Sequence, residues 1–159
     1  MRSEISKFTF LIGAAALILG CANTPPTASK TVQVTILSPM MKINDVGFLH
    51  VYKKGLNLQI YSSGLNTANI KISGQICVNR GCFAPSEFNK KFFLAEHYDE
   101  ILSDILQGRE IFNGAGLSKT ACGFEQNISA NLIKYEVCGG DAKFSDAKNR
   151  VKVILKELK

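Results

Sequence analysis

Apolar residues recur at every second position along several stretches, and this period of two constrains the fold more than any other feature of the chain. Val32, Val34 and Ile36 share one side of residues 31–37. Leu56, Leu58 and Ile60 do the same, as do Ile70, Ile72, Ile76 and Val78 within 69–78. A pleated strand keeps such positions on one face, whereas a helix spreads them around its circumference. Strands are therefore predicted at 31–37, 47–52, 56–60 and 69–78. A turn is expected at Lys53-Lys54-Gly55, a loop over 62–68 and a bulge at Gly74. The period then changes. Pro85-Ser86-Glu87 reads as a helix start with Ser86 as its cap, Phe88, Phe92 and Phe93 share a helical side, and Gly108 suits the stop. Ile101, Leu102, Ile105 and Leu106 form a second helical stripe. Residues 113–116 read as flexible. Two more strands are expected at 121–128 and 132–138, followed by a turn at Gly139-Gly140-Asp141. The β-branched run 150–155 reads as a strand, with a helix through Ala147, Val151, Leu155 and Leu158 as its rival.

About seven strands and one helical insertion predict a mainly β domain. The expected form is two packed antiparallel sheets, a β-sandwich that is immunoglobulin-like in a loose sense, with a small β-barrel as the alternative. The chain has no Trp, so it lacks the core Trp of true immunoglobulin domains.

The first 20 residues belong to targeting, not to the fold. Arg2 and Lys7 provide a positive start, diluted by Glu4, and residues 8–19 form a 12-residue, mostly apolar run. That is too short to cross a bilayer about 30 Å thick as a helix, but it fits the core of a secretory signal. The run ends in Ile18-Leu19-Gly20-Cys21, which resembles the lipobox of bacterial lipoproteins. Leu19 stands where Ala or Ser is commoner. The resemblance implies cleavage before Cys21 and acylation of its thiol and new amine. Two or three acyl chains, at about 0.8 kcal/mol per buried CH₂, anchor durably where one does not. By the best-known sorting rule, Ala22 in place of Asp implies the outer membrane. Residues 21–30 are then a polar, proline-containing tether, and residues 31–159 a single domain. The chain is also similar overall to small envelope lipoproteins of campylobacter-type bacteria, which implies a secreted β-rich domain and transfers no functional residue.

Four cysteines remain: Cys77, Cys82, Cys122 and Cys138. Outside the inner membrane two disulfides are expected, with three possible connectivities. Cys77–Cys82 and Cys122–Cys138 are preferred because each pair brackets a turn. With Asn79-Arg80 as a two-residue loop, Cys77 faces Cys82. Direct pairing of Cys122 with Cys138 conflicts with the alternation of Ile133, Tyr135 and Val137, which it sets opposite Asn127, Glu125 and Gly123. Either the register shifts or the partner strand is another. The spacing is not that of a redox CxxC site, and only His50 and His97 are there to assist a metal.

The formal charge of +6 becomes +5 once residues 1–20 are removed, with 17 basic against 12 acidic side chains. The basic residues are scattered; the tightest group is Lys148, Arg150, Lys152, Lys156 and Lys159. With 46% apolar residues in 159, the chain is one ordinary globular domain, and no aromatic-and-basic pattern for nucleic acid is present. No cofactor motif, nucleophile elbow or metalloprotease helix occurs. His97 lies in an acidic stretch with Glu96, Asp99 and Glu100. That stretch reads as a solvated junction; the alternatives are weak binding of a divalent ion, or a raised His97 pKa. No catalytic or metal residue is assigned. The expected function is a non-enzymatic binding or interaction module on a lipid anchor, its partner an envelope or host protein. The alternatives are an envelope hydrolase and a structural lipoprotein of an outer-membrane assembly. Lysozyme inhibition fits poorly, since two basic proteins repel.

Overall fold

The computed structural model describes residues 24–159; the predicted export segment 1–20 and Cys21 lie outside the described residues. Six strands come first: β1 (Ala28–Leu37), β2 (Lys42–Tyr52), β3 (Gly55–Ser62), β4 (Leu65–Ser73), β5 (Gln75–Val78) and β6 (Gly81–Phe83). Two helices follow, α1 (Pro85–Phe92) and α2 (Ile101–Gln107). Five strands complete the chain: β7 (Leu117–Thr120), β8 (Gly123–Ile128), β9 (Ile133–Cys138), β10 (Asp141–Asp146) and β11 (Val151–Glu157).

The fold is mainly β and antiparallel, with the expected helical insertion. Its strands hydrogen-bond as one sheet in the order β6-β5-β4-β3-β2-β1-β11-β10-β9-β8-β7. The two expected layers are thus two meanders of a single sheet, joined where β1 pairs with β11 (Val34 opposite Leu155). β6 and β7 do not pair with each other, so the sheet is not closed into a barrel.

The alternation places one apolar row per strand on the inner face. Val34, Leu58, Ile60, Ile70, Ile76, Tyr135, Phe144 and Val153 are all buried there. The helical insertion covers this face. Phe88 stacks on Phe92 at 5.0 Å and approaches Phe83 of β6, while Phe93 meets Phe144 of β10 edge-on at 5.6 Å. The insertion thus touches both meanders.

Several local expectations are corrected. Gly74 is not a bulge: at φ +73° it turns the chain, so 69–78 is the hairpin β4–β5. The irregularity lies instead between Ile60 and Tyr61. The 62–68 loop shrinks to a tight turn at Ser63-Gly64, both at positive φ. Ser86 does not cap α1; the N-cap is Ala84, Pro85 opens the helix, and no side chain caps it. β6 is the second arm of the expected Cys77–Cys82 hairpin, whereas β7 and β10 are strands where none was expected. β1 begins at Ala28, opposite Val51, so residues 28–30 of the expected tether are paired. Residues 151–157 are a strand, and Gly108 closes α2 in the left-handed region, both as expected.

Both preferred disulfides are present. Cys77 lies directly opposite Cys82. The conflict at the other bond resolves by a one-residue shift: Cys138 faces Gly123, so Val137, Tyr135 and Ile133 face Phe124, Gln126 and Ile128. Cys122 stands just outside the ladder, where its carbonyl accepts the Gly139 N–H.

Candidate functional site

Three surfaces bring chemistry-bearing residues together. The first is a hollow of about 520 Å³ beside the helical insertion, lined by Glu96, His97, Tyr98, Asp104, Glu110, Phe112 and Asn113. Its position is set by two buried amides. Asn89 of α1 donates to the carbonyls of His97 (3.1 Å) and Tyr98 (3.0 Å) and so fixes the α1–α2 connection. Gln126 of β8 accepts the Ile111 N–H and donates to the carbonyls of Ile111 and Ala115, which fixes the opposite wall. Phe112 and Asn113 adopt the left-handed region between these clamps.

Most polar groups of the hollow already have partners. Asp104 accepts from Tyr98 Oη at 2.8 Å and pairs with Arg109 at 2.7 Å. Glu96 pairs with Lys90 at 2.8 Å, which holds its carboxyl below the usual range. Burial and the Asp104 carboxylate raise the Tyr98 phenol above its ordinary value. The His97 ring is wedged edge-on between Phe93 (5.3 Å) and Phe112 (5.4 Å). Burial lowers its pKa, and the Asp146 carboxylate opposes this more weakly. This corrects the alternative in which the acidic stretch raises the His97 pKa: the ring faces phenyl groups, and Glu96 turns toward Lys90. His97 Nε2 is buried without a hydrogen-bond partner. Among the described residues no group of three His, Cys, Asp or Glu side chains is placed to hold a metal ion.

His50 is elsewhere. It lies on the outer face of β2, its Nδ1 2.8 Å from Ser29 Oγ, so the two histidines do not share a site.

The second surface is that outer face over β1–β4. Cross-strand register sets Phe48 opposite Thr31 and Gln59, and Val46 opposite Gln33 and Tyr61. Phe48 and Tyr61 pack edge-on at 5.6 Å, yet Phe48 keeps 41% and Val46 38% of its surface exposed. Asn44 Oδ1 accepts from Thr35 Oγ1 at 2.9 Å and from Gln33 Nε2 at 3.3 Å. This patch holds aromatic, amide and hydroxyl groups and no carboxylate.

The third surface is the rim where the chain enters β1. Thr24, Pro25 and Pro26 line a groove of about 920 Å³ together with Lys53, Lys54, Asn57, Asn69 and Lys71. Charge is unevenly distributed over these surfaces. Residues 84–116 hold six acidic against three basic side chains, and the rest of 24–159 holds 14 basic against six acidic.

Sequence reasoning singled out His97, Glu96 and His50, but not Gln126, Asn89 or the pairing of Phe48 with Tyr61. The last was legible in principle, since Phe48 and Tyr61 each stand out of phase with the apolar rows of their strands. No family model matches the chain, and no curated protein matches it either.

Proposed function

We propose that this chain is a lipid-anchored envelope lipoprotein whose β domain is a non-enzymatic binding module, with the outer face of β1–β4 as its contact surface. The observation that carries the binding role is the exposed Phe48–Tyr61–Val46 patch, which holds no carboxylate. Exposed aromatics ringed by satisfied polar groups mark contact sites more than scattered apolar residues do. The lipobox at Cys21 supports the anchor. The hollow at His97 supports a structural role: a ring wedged between two phenyl groups, with its Nε2 buried, is poorly placed to reach a substrate.

Photocrosslinking in intact cells tests the surface. A crosslinker at Gln59 should give discrete adducts that Phe48→Ala with Tyr61→Ala removes, while the same group at Asn127 gives none. Equal labelling at both positions would overturn the assignment. The anchor is tested by Cys21→Ala, which should abolish lipid labelling. A hydrolase remains the second reading because His97, Glu96 and Glu110 do share one hollow. It requires His97→Phe to abolish the cellular function, whereas the binding reading requires that function to survive.

A further inference from the structure

The geometry points to a membrane-apposed rim: the sheet edge carrying Lys53, Lys54, Lys71, Lys156 and Lys159 rests on anionic lipid headgroups. This rests on the reading that Cys21 carries the anchor.

Alternating antiparallel strands bring the start of β1, the β2–β3 and β4–β5 turns and the end of β11 to one rim. Lys53 and Lys54 form the β2–β3 turn, Lys71 is the third residue from the end of β4, Lys156 lies near the end of β11, and Lys159 follows it by three residues. All five are exposed, and none has a carboxylate within 4 Å among the described residues. The acids of this rim are already engaged. Glu157 pairs with Lys30 at 3.0 Å, and Asp141 accepts the Glu157 N–H. The rim therefore presents an excess of positive charge.

The opposite rim is also basic, with Lys42, Arg80, Lys148 and Arg150. Charge alone does not choose between them; the path of the chain does. Thr24 to Pro26 run in one groove with Lys53, Lys54 and Lys71. Cys21 is three residues before Thr24, and three extended residues span at most about 11 Å. With Cys21 acylated at the surface, this rim lies within about one to one and a half screening lengths of the headgroups at physiological ionic strength. The far rim, separated by strands of up to 11 residues, is about 30 Å further away and fully screened. Tyr52, in the same groove, supplies the amphipathic ring that interfaces favour. The lysines thus convert a flexible anchor into an oriented one, holding the Phe48–Tyr61 face to the side and open to a partner.

The test uses the full acylated chain in vesicles of phosphatidylcholine alone or with 30% phosphatidylglycerol, and lysine acetylation read by peptide mass spectrometry. On anionic vesicles Lys53, Lys54 and Lys71 should react about fivefold more slowly than on neutral ones, as expected for a lysine held at a charged surface. High salt should restore their rates, and Lys42, Lys134 and Lys148 should not change. Equal rates of Lys53 and Lys54 on both vesicle types, or slowing at Lys148 instead, overturns the proposal. The same spectra report whether Cys21 is acylated. An unmodified Cys21 with protected Lys53 and Lys54 sinks the anchor and keeps the rim, and an acylated Cys21 with unprotected lysines does the reverse.

Discussion

Gln126 offers the sharpest check on how the hollow is built. Its side chain is fully buried and makes three bonds, at 2.8, 2.8 and 2.9 Å, to the Ile111 N–H, the Ile111 carbonyl and the Ala115 carbonyl. Gln126→Met keeps the volume and removes all three. Ala115 is exposed, so water can satisfy its carbonyl. Ile111 is fully buried, and both of its backbone groups lose their partners. Each such orphan costs about 1–3 kcal/mol, partly offset by burying a thioether in place of an amide. The expected net loss is about 3 kcal/mol, or roughly 10 °C in melting temperature for a domain of this length. Urea titration should show a lower midpoint at unchanged slope, and the Ile111 amide should exchange at least tenfold faster. Gln126→Glu serves as the control. It keeps an acceptor for Ile111 but aims a carboxylate at two carbonyls, so it should be as harmful at pH 7 and recover as pH falls and the acid becomes a donor. A loss below about 1 kcal/mol for the Met variant, with Ile111 still protected, would refute the clamp.

Three further outcomes follow from other features. Removing Cys122–Cys138 by paired Ala substitution should cost about 3 kcal/mol and removing Cys77–Cys82 about 2, since they close loops of 16 and five residues; chemical denaturation of the two variants decides whether the order holds. Because burial lowers the His97 pKa, the folded state resists protonation. Stability should fall as pH drops from about 6.5 toward the folded value, and His97→Phe should flatten that slope in melts between pH 7 and 5. Gly116 at φ +64° would place an added Cβ against the Asn127 carbonyl, whereas Gly74 at φ +73° faces open space. Gly116→Ala should therefore lower the melting temperature clearly more than Gly74→Ala.

The parts of the fold written in local periodicity were legible. Val32, Val34 and Ile36 announce β1 because one face of that strand is buried and the other is not. The hairpin at Cys77 and Cys82 follows from a two-residue turn between alternating residues. β10 was harder to read: only Ala142 and Phe144 mark its inner face, with Asp146 as the third inward residue. That carboxylate is buried while it accepts from the backbone and side-chain N–H of Asn149, a local turn that hydrophobic alternation does not encode. The join of β1 to β11 was likewise hidden, since alternation states which face is buried and not which strand lies alongside. The hollow could be glimpsed only through its acidic stretch, because the clamps come from Asn89 and Gln126, polar residues that sequence patterning assigns to the surface.

The β1–β11 seam has a consequence for how the molecule forms. Every other strand pairs with a neighbour in sequence, so each meander closes through short loops. Val34 and Leu155 stand 121 positions apart, and β11 slots between β1 and β10 after all the other strands have been synthesised. Until it arrives, the nascent protein is two half-sheets, each with an open, apolar edge facing the gap. Loop-closure entropy makes this late insertion the slow step. A chain cut before Val151 should accumulate as those two halves, and a peptide of residues 151–157 supplied in trans should complete them by strand addition.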